Sequence, residues 1–201
     1  MYIQITQNDI ITADYLANLR LNYEYRRIGY NYMQISQVSS YINNFFKLNL
    51  ITTPSNITIG ILAELLIYRN LTHYLYNKNL NMIKECFQYN LTIGTYDKGF
   101  DIVKNDKKID IKCYATHIVA NIDEIFRFNL LVDAEQYRHK ESRADLYIQT
   151  FIVHNGDGLF LYIAGYAESS ELYLNTNFPK PAYCCSVDNL HTYDELKRKY
   201  F

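Results

Sequence analysis

Residues 99–115 read GFDIVKNDKKIDIKCYA, and the fold turns on how that stretch is laid out. Side chains alternate between two faces on both sides of a Lys-rich centre: Phe100 and Ile102 on one with Asp101 and Val103 on the other, then Ile109, Ile111 and Cys113 against Asp110 and Lys112. A period of two is the mark of strands. Asn105 and Asp106 tolerate positive φ and predict a two-residue turn, hence a hairpin. Counting back from that turn sets Lys104 opposite Lys107, Val103 opposite Lys108, Ile102 opposite Ile109 and Asp101 opposite Asp110. Two carboxylates facing each other cost roughly 0.2–1 kcal/mol when exposed and more when buried, so the pattern calls for compensation. Lys112, two positions on and on the face of Asp110, is one source; a bound cation is the other.

The chain has 201 residues and a formal net charge of −1, enough for one domain with a sizeable core and no bulk excess of positive charge for coating nucleic acid. A local basic groove is still compatible with that balance. No apolar run is long enough for a membrane span, and MYIQITQNDI lacks the basic start and apolar centre of a signal peptide. The expected address is cytoplasmic, with no membrane partner. The four cysteines, Cys86, Cys113, Cys184 and Cys185, form no paired C-x-x-C units, so free thiols are expected rather than a structural zinc site or disulfides.

Outward from the hairpin, the first fifty residues carry apolar side chains at three- and four-residue spacing and read as helices. TTPSN breaks the pattern, and a helix is predicted through ITIGILAELLIYRN, with more helix through NLNMIKECFQYN. The segment from Thr116 to Ala144 holds a strand ending near Leu131 and then a polar loop. DLYIQTFIV and LFLYIAGYA read as strands joined by the turn cluster HNGDG, and HTYDELKRKY as a short closing helix. The order predicts an α/β or α+β fold, a mixed sheet flanked by helices. Residues 1–52 are expected to form a helical extension packed on a core spanning 53–201.

Three acids and a lysine stand out. Asp101 lies on the first hairpin strand, Asp110 and Lys112 share a face of the second, and Glu64 sits inside the apolar helix, three or four residues from Gly60, Ile61, Ile67 and Tyr68. A carboxylate on such a face needs a partner. An acid-bearing helix (AELLIYRNL), a first acid after a turn (DKGFD), an acid-x-lysine strand (IDIK) and a following strand (ADLYIQTF) together resemble the PD-(D/E)XK nuclease superfamily, the restriction endonuclease-like fold, and in particular its small phage or mobile-element members. The matching stretch runs from about Gly60 to Ile152. Phe100 stands where the motif's proline would be.

The resemblance implies a Mg²⁺-dependent endonuclease that hydrolyses phosphodiester bonds, with DNA the favoured substrate and Mn²⁺ able to substitute. Asp101 and Asp110 would hold the metal with the Ile111 carbonyl, Glu64 would complete the shell directly or through water, and Lys112 would act on the attacking water and the phosphate. Cutting both strands with one site per chain further implies a homodimer or repeated encounters. Arg138, Lys140 and Arg143, in the densest basic cluster, are candidate phosphate contacts, as is Gln149 on the following strand. The plainer alternatives are a wet hairpin face for the aspartates, a simple ion pair for Lys112, and a solvated loop for the basic cluster. The rival function is a nucleic-acid-binding or interaction protein that keeps the fold without turnover.

Overall fold

The computed structural model describes residues 1–28, 37–48, 55–72 and 100–201. The hairpin forms as its alternation dictates. Strands β2 (Ile102–Lys104) and β3 (Lys107–Val119) pair antiparallel, with Ile102 opposite Ile109, Val103 opposite Lys108 and Lys104 opposite Lys107. Asn105 and Asp106 take φ values of 49° and 61°, the left-handed pair that matches a tight turn to the twist of its strands.

That hairpin is one edge of a five-stranded mixed sheet ordered β1-β6-β5-β3-β2. Strand β5 (Leu146–Asn155) runs parallel to β3, β6 (Gly158–Glu168) pairs back on β5, and β1 (Tyr2–Gln4) closes the far edge. The first eight residues of β5 are all buried. A central strand covered on both faces is buried along its length in this way, polar Gln149 and Thr150 included.

One face is covered by helices. α1 (Gln7–Ile28), α2 (Gln37–Phe46) and α3 (Ser55–Thr72) form this layer. Ile10, Leu16, Leu62 and Leu66 pack in one core with Ile109, Ile111, Ile148 and Ile152. From Ile59 to Ile67, α3 is apolar on nearly every side, and all its apolar residues there except Gly60 are buried. This fits a helix enclosed between other elements. At its far end the Arg69 guanidinium meets fully buried Asp9 at 2.9 Å, and the Thr6 N–H and hydroxyl also donate to that carboxylate. The buried charge is thus fully partnered.

The other face carries a second sheet, ordered β4-β8-β7, made of β4 (Asn129–Asp133), β7 (Tyr173–Asn175) and β8 (Ala182–Ser186). Leu130, Val132 and Cys185 pack on Tyr147 and Ala167. A five-residue helix, α4 (Ala134–Arg138), follows β4, with Asp133 accepting from the Glu135 and Gln136 N–H groups. The last helix, α5 (Tyr193–Tyr200), begins with a reciprocal Thr192–Glu195 cap, the signature legible in HTYDE.

The fold is therefore mixed α+β, with a sheet flanked by helices. Two expectations need adjustment, and a third is untested. Residues 2–4 are a sheet edge rather than part of a helical run. The segment after Leu131 holds α4 before its loop. The helix expected through NLNMIKECFQYN lies outside the described residues.

Candidate functional site

β2 begins only at Ile102, so β3 runs on past it along an edge that, among the described residues, no strand covers. Exposed edge donors must find other partners. Asp101 supplies one: its Oδ2 accepts from the Ile111 N–H at 2.6 Å, while its own N–H donates to the Ile109 carbonyl at 2.8 Å. The square pairing of Asp101 with Asp110 is thereby corrected. The ladder stops one residue short, and Asp101 folds onto the strand edge instead of setting carboxylate against carboxylate. N–H and C=O of one strand residue point to the same side, so the Ile111 carbonyl also faces this edge, beside Asp101.

Asp110 and Lys112 sit on the sheet face opposite Ile109 and Ile111. In register on β5, Tyr147 stands beside Asp110 and Gln149 beside Lys112. The Lys112 ammonium meets Asp110 Oδ2 at 2.7 Å, with the carboxylate almost fully buried and the lysine side chain 29% exposed. Glu64, 6% exposed in the helical layer, lies near enough to Asp101 to act on its charge.

The electrostatics tie these residues together. Part of Asp101 meets solvent, but its carboxyl is packed deeply enough that desolvation is the largest influence on it. Burial, then the charges of Glu64 and Asp110, hold its pKa well above the ordinary aspartate value, against the opposing pull of the Ile111 N–H and Lys112. Asp101 thus feels one carboxyl group from the helical layer and one from its own hairpin. Such an accumulation of like charge is costly and is characteristic of functional sites.

Gln136, on α4, is a member of the site that the sequence did not reveal. Its Nε2 donates to Asp110 Oδ2 at 2.9 Å, and its Oε1 accepts from the Lys112 ammonium at 3.3 Å. Nothing local in DAEQYRHK marks this glutamine, because its contact depends on where β4 delivers the helix. Arg138, Lys140 and Arg143 continue from the same helix and are all exposed. The Arg143 guanidinium lies 5.4 Å from the Tyr137 ring centroid. The basic loop therefore adjoins the acidic edge through α4.

Gln149 does not belong to that outer surface. It is 3% exposed, and its amide donates to the Thr150 and Lys112 carbonyls at 2.9 and 3.4 Å. Its proposed nucleic-acid contact is corrected to an internal role, bracing the backbone of Lys112 together with the Thr150 hydroxyl at 3.1 Å.

Whether these residues suit a divalent cation can be judged from their chemistry. The donors are the hard oxygens that Mg²⁺ takes, and the repulsion felt by Asp101 is the surplus negative charge that a cation would offset. Among the described residues, however, no three His, Cys, Asp or Glu side chains are drawn close enough together to hold an ion. Asp110 Oδ2 is instead held by Lys112 and Gln136. Comparison of the chain with known protein families, with curated proteins and with solved structures finds no match in any of the three.

Proposed function

We propose that this chain is a metal-dependent endonuclease of the PD-(D/E)XK type, acting on phosphodiester bonds of DNA. The observation that carries the reading is the setting of Asp101, whose charge Glu64 and Asp110 oppose and Lys112 favours, with Lys112 itself paired to Asp110. A chain with no use for such a cluster gains nothing from burying three carboxyl groups together. Asp101, Asp110 and the Ile111 carbonyl would hold Mg²⁺ or Mn²⁺, with Glu64 adjoining them. When bound, the ion supplies charge stabilisation of the phosphate and a more acidic attacking water.

The chain's own residues do the rest. Lys112, charged and partly open to solvent, places its ammonium where negative charge builds on the phosphate oxygens. The exposed Arg138, Lys140 and Arg143 offer phosphate contacts along the approach to the site. Tyr147 and Ile111 keep the floor dry on either face of β3 and β5, both being buried, and a dry floor strengthens every charge interaction above it.

A second reading, nucleic-acid binding without turnover, is favoured by one observation: the described acids are not gathered around a common point. Incubation with plasmid, linear, single-stranded and branched DNA, and with RNA, in Mg²⁺, Mn²⁺ or EDTA separates the two. Metal-dependent cuts support the nuclease. Retention of substrate with no cuts in any metal supports the binding protein.

A further inference from the structure

We infer that Gln136 is a positioning residue that fixes the Lys112 ammonium against Asp110. This rests on the nuclease reading for its consequence in turnover, but not for its geometry. A lysine has four side-chain torsions, and one bond to a carboxylate leaves its ammonium free to swing about that point. Gln136 supplies a second, 3.3 Å from Nζ, while its amide nitrogen holds the same Asp110 oxygen that Lys112 touches. A primary amide can donate to an anion and accept from a cation at once, so one side chain closes the triangle.

A clamp works only if it is itself held. The Gln136 N–H is capped by Asp133, and its carbonyl accepts from the Ser142 hydroxyl at 3.1 Å. The adjoining Tyr137 stacks on Tyr183 with ring centroids 3.7 Å apart and donates its hydroxyl hydrogen to the Ser169 carbonyl. α4 is thus anchored at its start, its side and the turn after it. The same anchoring carries the exposed basic residues, so whatever engages that loop bears on the element that orients Lys112.

The test uses the full chain without metal or substrate. Lysine ammonium groups give a nitrogen–proton correlation in NMR only when hydrogen bonds slow their proton exchange with water. The Lys112 signal is assigned by its loss in Lys112→Met. Wild type is expected to show it, Gln136→Leu to lose it while still unfolding cooperatively on heating, and Gln136→Glu, which keeps an acceptor for the ammonium, to retain it. In single-turnover cleavage with Mg²⁺, Gln136→Leu is expected to slow the step about 10- to 100-fold without weakening substrate binding. A Lys112 signal of full strength in Gln136→Leu, or none in wild type, overturns the positioning role whatever the chain cuts. Loss of the signal in Gln136→Leu, from a wild type that cuts nothing, upholds the positioning role and refutes the nuclease reading instead.

Discussion

The Lys112 ammonium stands 2.7 Å from Asp110 Oδ2, on one face of β3 and two residues along it. Because the aspartate is buried, removing its partner should leave an uncompensated charge. Lys112→Met is expected to lower the stability of metal-free protein by about 1–3 kcal/mol. Adding Asp110→Asn should recover part of that loss, giving a coupling of about 0.5–3 kcal/mol in a double-mutant cycle by denaturant unfolding. Strictly additive losses would mean that the pair contributes nothing as a pair.

Asp101 makes stability depend on pH in a definite direction. Its carboxyl binds a proton more tightly in the folded chain than in the unfolded one, because burial and the neighbouring Glu64 and Asp110 disfavour its charge. Stability from this group is fully present below the ordinary value of 3.8 and is lost as pH rises through the higher folded value. Asp101→Asn, which still accepts from the Ile111 N–H, removes that loss. Melting curves without metal should therefore show the variant gaining on wild type as pH rises. Parallel curves would contradict the assignment.

Mg²⁺ or Mn²⁺ should raise the melting temperature of wild type, since binding to the folded state alone stabilises it by mass action. The effect should vanish in an Asp101→Ala, Asp110→Ala double variant and be reduced in Glu64→Gln. Equal metal binding by wild type and the double variant in calorimetry would place the ion elsewhere.

The basic loop is tested by salt. Replacing Arg138, Lys140 and Arg143 with alanine should weaken DNA binding and lower the log–log salt slope by about one unit for each phosphate that is no longer neutralised. These side chains are exposed, so folding should be unaffected. An unchanged slope assigns them to solvent.

What the sequence disclosed follows from the range of the interactions involved. The Asn105–Asp106 turn is local chemistry, and it set the register of Ile102 on Ile109. The alternation of Ile109 and Ile111 with Asp110 and Lys112 likewise placed the charged residues opposite the helical core. Asp101 escaped the same counting because the edge of β3 beyond the ladder offered its carboxylate the Ile111 N–H, an opportunity with no local signature. β4 and β8 pair Leu130 with Cys185 and Val132 with Tyr183, and short strands so far apart in the chain leave only weak periodicity. Since α4 follows directly from β4, Gln136 was hidden with it. Gln149 was visible as a strand residue, but its burial depends on what covers β5.

The most direct measurement is single-turnover cleavage of DNA in Mg²⁺ by wild type and by Lys112→Ala, with DNA binding and melting temperature followed on the same preparations. In the nuclease reading Lys112 acts on the transition state more than on the bound substrate. Wild type should cut, and the variant should bind DNA with little loss while cutting two or more orders of magnitude more slowly, a barrier change of about 3 kcal/mol. Cleavage by a folded Lys112→Ala at the wild-type rate, or wild type that binds DNA and never cuts it, would contradict the account.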